Sequence, residues 1–126
     1  MMKSQQFSLT DRLKSFRHAC NGLRLLLKEE HNARIHLFIA ISVLVAGYIF
    51  NLSTSEWMIL VLAIGGVITT EIMNTVLENI SDFISPEKHA TIKKIKDLAA
   101  AGVLISSITA MVVGMLIFLP KFIELC

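Results

Sequence analysis

Three carboxylates and an amide recur along Glu71-Ile-Met-Asn-Thr-Val-Leu-Glu-Asn-Ile-Ser-Asp82, directly after the almost wholly aliphatic run from Trp57 to Thr70. At about 100° per residue of α-helix, Asn74 falls roughly −60° from Glu71, Glu78 roughly −20° and Asp82 roughly +20°. All four share one narrow face, and Ile72, Met73, Val76, Leu77 and Ile80 fill most of the rest. A carboxylate at membrane depth costs about 2.5–3.5 kcal/mol on insertion scales for Asp, and neighbouring acids repel one another. Such a stripe needs a divalent cation, basic partners or protonation to offset that cost. Mg²⁺ suits it, because this ion takes oxygen ligands and is commonly held by one or two carboxylates together with phosphates.

Two more features belong to the same chemistry. Glu30 stands just before the first apolar span, and Lys96-Asp97 opens the last one. Glu30, Glu71, Asn74, Glu78, Asp82, Lys96 and Asp97 are therefore expected to converge at one membrane boundary. The chain has no GxxxxGK[ST] phosphate loop and none of the protein-kinase motifs. The residues alone leave open a metal–phosphate enzyme and a small oligomeric ion or proton carrier. A carrier would want acids along the whole span; here they occupy one half of it. A non-catalytic assembly module would need no carboxylates.

The elements that position these groups follow from hydropathy. The chain has 126 residues, 54% of them hydrophobic and only 17% charged. So little charge rarely covers a soluble domain of this length. One domain, 1–126, is expected, all-α and integral to the membrane. Its membrane helices are expected over 35–52, 57–84 and 97–119, the second long enough only if it continues through the polar stripe. Glu87 to Lys96 reads as a charged connector, Ser55 or Thr54 as the cap of the second span, Trp57 as an interfacial aromatic and Pro120 as the end of the third span.

Ahead of the spans, Leu13, Phe16, Cys20, Leu23 and Leu27 recur every three or four residues, with basic residues mostly off that stripe. This predicts an amphipathic surface helix over 9–29, started near Thr10. Of the twelve Lys and Arg, Lys3, Arg12, Lys14, Arg17, Arg24, Lys28 and Arg34 precede the first span. Lys88, Lys93, Lys94 and Lys96 lie between the second and third spans, and only Lys121 follows. The positive-inside rule then places the N-terminus and the 85–97 segment in the cytosol. Cys20 and Cys126 fall on opposite sides of the membrane, where they would not pair, and neither has metal-ligand spacing around it. Gly102, Ser106, Ala110 and Gly114, four apart, form a stripe on which helix backbones can approach closely.

These residues resemble the small prokaryotic diacylglycerol kinase family, which includes the undecaprenol kinases. The resemblance is carried by Gly22-Leu23-Arg24, Glu30 with Arg34, the pattern Glu71-x-x-Asn74-x-x-x-Glu78-x-x-x-Asp82, Glu87 and His89, and Lys96-Asp97 before Ala99-Ala-Ala-Gly102. It covers roughly residues 12 to 119. It implies a homotrimeric bundle in the inner (cytoplasmic) membrane, each subunit having three spans and a surface helix. It implies transfer of the ATP γ-phosphate to a lipid alcohol at the cytosolic face, with Mg²⁺. The reaction it puts first is diacylglycerol to phosphatidate; undecaprenol to undecaprenyl phosphate is the alternative. No nucleic-acid partner is implied.

By position, Glu71 matches the general base and also a substrate contact, and Asn74 matches a catalytic neighbour. Glu30 and Glu78 match the Mg²⁺ ligands. Arg12, His18, Glu30, Glu78, Asp82, Glu87, Lys88, His89, Lys96 and Asp97 match the nucleotide site, and Arg34 a second substrate contact. Arg12 stands at about the place of an arginine of the family, and His18 at that of an aromatic residue. His36 replaces an acid found in some diacylglycerol kinases, and with Asn74-Thr75 it looks more like the undecaprenol kinase pattern.

Overall fold

The computed structural model describes residues 6–87 and 89–126. Lys88, expected at the nucleotide, lies outside them. Four helices make up the described chain: α1 (Leu9–Glu29), α2 (His31–Ile49), α3 (Thr54–Ile84) and α4 (Ala90–Leu125). Among the described residues there is no strand. The last three helices are long and apolar enough to cross a membrane. α3 packs chiefly on α4, and less extensively on α2; α1 touches α2.

α1 has the bounds expected of the surface helix, with Ser8 rather than Thr10 capping it through its side chain and the Asp11 amide. Most of its apolar stripe is bare: Leu13, Phe16 and Leu23 are exposed, and Leu27 is half-buried. Glu30 alone separates α1 from α2, closing one helix with its amide and opening the next with its carbonyl. The first span therefore begins at His31, four residues before the expected 35, because a single extended residue is enough to turn the chain.

The first span also ends earlier than expected, at Ile49 rather than 52. Asn51 takes φ 53°, while Leu52 N–H bonds Gly47 O and Asn51 N–H bonds Tyr48 O. This is a Schellman C-cap with Asn in the left-handed position usually given to Gly. Gly47 is needed for another reason: a Cβ there would lie 2.8 Å from the Trp57 ring and 2.9 Å from a Leu52 methyl. Trp57 thus packs across the α2–α3 turn beside the small core of Leu52, Leu60 and Ile117. α3 starts at Thr54, not 57, and its cap is Ser53, not Ser55 or Thr54. Ser53 and Glu56 form a reciprocal capping box.

The third span departs most from expectation. α4 begins at Ala90 and not at 97, so most of the charged connector is helical, capped by His89 Nδ1 accepting from Thr91 N–H at 3.1 Å. Pro120 does not end it; the helix continues to Leu125. A mid-helix proline costs about 3 kcal/mol or more in isolation. Contacts on either side of it hold α4 to its neighbours. Phe118 packs edge-on against Phe50 at 6.1 Å, and Lys121 Nζ pairs with Glu56 Oε1 at 3.2 Å.

At 1.5 Å per residue α3 is about 46 Å long and α4 about 54 Å, against a hydrocarbon core of about 30 Å. Both helices must project from the apolar layer. Their charged ends, carrying Asp82 on α3 and Lys93 to Asp97 on α4, lie on the same side of the bundle, where α2 begins.

Candidate active site at the charged end of the bundle

Burial is graded along the polar stripe of α3. Glu71 is buried at 3% exposure, Asn74 and Glu78 are half-buried, and Asp82 is exposed. The helical spacing thus sorts four polar residues by depth, with Glu71 about 26 Å along α3 from Thr54. Helix α2 supplies the neighbour of the deepest one: His36 Nε2 stands 3.0 Å from Glu71 Oε1. The ring N–H is not aligned for a hydrogen bond, and Oε1 is sealed from solvent without another donor. Asn74 Oδ1 is likewise buried and unpartnered. Thr75 turns its hydroxyl to the Glu71 carbonyl, at 3.0 Å, and not to the carboxylate.

Glu30 joins the group from the α1–α2 junction. Burial pushes its carboxyl above the usual range, and the nearby charges of Glu78, then Glu71, then Glu29 push it further. Three acids drawn from two parts of the chain therefore share one electrostatic neighbourhood. Among the described residues, no Lys or Arg forms an ion pair with Glu30, Glu71 or Glu78. The basic groups close by are engaged elsewhere. Lys96 Nζ pairs with Asp82 at 2.6 Å, tying α4 to α3, and Lys93 pairs with Asp97 at 2.6 Å. Both pairs are largely exposed and can open.

Arg34, expected at the substrate, is bound to the end of α1. Its Nε and Nη2 donate to the carbonyls of Leu27 and Lys28, each at 2.7 Å. These carbonyls belong to the last turn of α1 and have no helical partner. Arg34 therefore caps α1 and fixes the corner on which Glu30 sits. His89, expected at the nucleotide, caps α4, and the neighbouring Glu87 is exposed. On α1, Arg12 stacks over the Phe7 ring at 5.6 Å and His18 is exposed. Among the described residues, neither has a hydrogen bond or ion pair to the acidic stripe.

No three His, Cys, Asp or Glu side chains converge on one point among the described residues. The donor set nevertheless fits Mg²⁺: Glu30 and Glu78 are crowded, un-neutralised carboxylates, and Mg²⁺ is usually held by one or two carboxylates with phosphates completing the shell. From His36 outward, an apolar groove of about 680 Å³ runs between α2, α3 and α4, with Ser107 and His36 as its polar lining. The contact of His36 with Glu71, the capping by Arg34 and this groove were not anticipated from residue spacing. The one signal available was His36 itself, an imidazole at the mouth of an apolar span expected over 35–52.

A three-span helical bundle with a deep carboxylate beside a crowded pair of acids defines a membrane protein with a site at one end. Residues 17–118 match the pattern of the prokaryotic diacylglycerol kinase family. The chain is 38% identical over 119 residues to an undecaprenol kinase of Bacillus subtilis, covering 94% of this chain and 97% of that protein. It is 33% identical over 114 residues to a diacylglycerol kinase of Synechocystis, covering 90% of this chain and 65% of that protein. The chain belongs to the prokaryotic diacylglycerol kinase family, and it is a lipid kinase.

Proposed function

We propose that this kinase transfers the γ-phosphate of ATP to the hydroxyl of a membrane lipid at the cytosolic face of the cytoplasmic membrane, working as a homotrimer. The observation that carries the reading is Glu71: a carboxylate buried at 3% exposure in a membrane-length helix, with Glu30 and Glu78 beside it towards the charged end. The basic residues before the first span and between the last two support a cytosolic N-terminus and a cytosolic site.

In this reading Glu71 accepts the hydroxyl proton of the lipid as its oxygen attacks the γ-phosphorus. The new O–P bond forms while the bond to the β–γ bridging oxygen breaks, and ADP leaves. Proton transfer to a placed base contributes typically 10²–10⁴-fold. Glu30 and Glu78 would hold Mg²⁺, which neutralises phosphate charge when bound. Lys96, swinging from Asp82, adds a positive charge for the nucleotide, with Asp82, Asp97, Glu87 and His89 as further nucleotide contacts. Asn74, unpartnered and between the two glutamates on the same face, orients the reacting hydroxyl. Phosphoryl transfer asks mainly for such alignment and charge compensation. An ion path would need acids beyond the half of α3 in which these lie.

Undecaprenol is the acceptor favoured by the similarity to an undecaprenol kinase along nearly the whole of both chains. Diacylglycerol is the second reading, supported by the other relative. Full-length protein in bilayer nanodiscs, given Mg-ATP and each alcohol in turn, tests both. Phosphate should pass faster to undecaprenol than to diacylglycerol. Faster transfer to diacylglycerol would reverse the order of acceptors, and no transfer to either would overturn the reading.

A further inference from the structure

We propose that His36 is the positioning residue for Glu71: its Nε2–H holds Oε1 and leaves the second carboxylate oxygen facing the lipid hydroxyl. The inference rests on the reading of Glu71 as the base. Among the described residues, His36 is the only charged or polar side chain in polar contact with the Glu71 carboxylate, at 3.0 Å. Thr75 is committed to the Glu71 carbonyl, Arg34 to α1 and Lys96 to Asp82; Asn74, on the same face as Glu71, has no hydrogen bond to its carboxylate. Oε1 is sealed and has no aligned donor, so a modest rotation of the imidazole gains a hydrogen bond that nothing else supplies. An unmade hydrogen bond to a buried acceptor is costly, which favours that rotation.

His36 stands on α2, the helix facing α3, and it also lines the apolar groove between α2, α3 and α4. The imidazole therefore separates the base from the groove and limits the directions from which an alcohol can reach the carboxylate. A carboxylate free to turn would present either oxygen; one held from α2 presents a defined lone pair. Proton abstraction depends on that geometry before it depends on proton affinity.

The test uses the full-length protein in nanodiscs with Mg-ATP and its lipid acceptor. His36→Phe removes the donor, while His36→Gln keeps an N–H near the position of Nε2. His36→Phe should lower kcat by about tenfold, the worth of one hydrogen bond, with KM for Mg-ATP within about twofold of wild type. His36→Gln should recover kcat to within about threefold. In nitrogen NMR of the resting protein, the His36 Nε2 resonance should shift on Glu71→Gln substitution, a readout that needs neither turnover nor a His36 variant. Unchanged kcat in His36→Phe, equal losses in Phe and Gln, or a His36 resonance indifferent to Glu71→Gln would each overturn the proposal. If the wild type failed to phosphorylate any lipid while the resonance still shifted, the reading of the reaction would fall and the pairing would stand.

Discussion

Replacing Arg34 with Ala distinguishes a structural corner from a substrate contact. The guanidinium donates two hydrogen bonds of 2.7 Å to the terminal carbonyls of α1. A hydrogen bond from a charged donor is worth about 1.5–3 kcal/mol, and less where water competes. Taking about 1 kcal/mol for each of these solvent-exposed bonds, Arg34→Ala should destabilise the docked corner by about 2 kcal/mol, a shift of about 30-fold between docked and released α1. The assay is hydrogen exchange over residues 24–33, whose amides should exchange about 30-fold faster in the variant if they open through release of α1. Glu30 rides on the same corner, so KM for Mg-ATP should rise while KM for the lipid stays put. Unchanged exchange together with a raised lipid KM would refute the capping argument and restore the substrate contact that the family resemblance implied.

Gly47→Ala should destabilise the bundle by about 1–3 kcal/mol, because the new methyl meets Trp57 and Leu52 below 3 Å; unfolding followed by the fluorescence of Trp57, the single tryptophan, measures it. Lys96→Met should raise KM for Mg-ATP by on the order of tenfold with the lipid KM unchanged, since the lost charge acts on phosphate. Glu30 carries the clearest pH signature. Its carboxyl is raised in the fold by burial and by Glu78 and Glu71, so the folded protein holds its proton more tightly than the unfolded chain. Stability from this group is therefore lost as pH rises from the ordinary carboxylate value of 4.5 through the raised one. Glu30→Gln should remove that loss and make the metal-free protein more resistant to heat at neutral pH. Added Mg²⁺ should raise the melting temperature of the wild type and much less that of Glu30→Gln, and EDTA should reverse the gain.

The polar face of α3 was legible from spacing because a long helix in an apolar environment obeys the 3.6-residue period without interruption. Burial along that face follows the same order, from exposed Asp82 through half-buried Glu78 and Asn74 to buried Glu71. The approach of Lys96 to Asp82 followed from both lying at the same end of neighbouring spans. The helix ends were less legible. Apolar composition locates the hydrocarbon layer, but α4 starts seven residues outside the expected 97 because backbone hydrogen bonds and the His89 cap extend a helix through charged residues. Pro120 reads as a stop in one strand of sequence; its neighbours Phe118 and Lys121 find Phe50 and Glu56 on other helices, which composition does not reveal. The partners of His36 and Arg34 were hidden for a related reason. One depends on which face of α2 meets α3, the other on a one-residue corner at Glu30 that folds Arg34 back on α1.

The most direct test of the account is Glu71→Gln in the full-length protein, measured for phosphate transfer to undecaprenol and for Mg-ATP binding in the same sample. Turnover should fall by about 10²–10⁴-fold with Mg-ATP binding retained. Near-normal turnover in a folded variant that still binds Mg-ATP would contradict the assignment of Glu71 as the base.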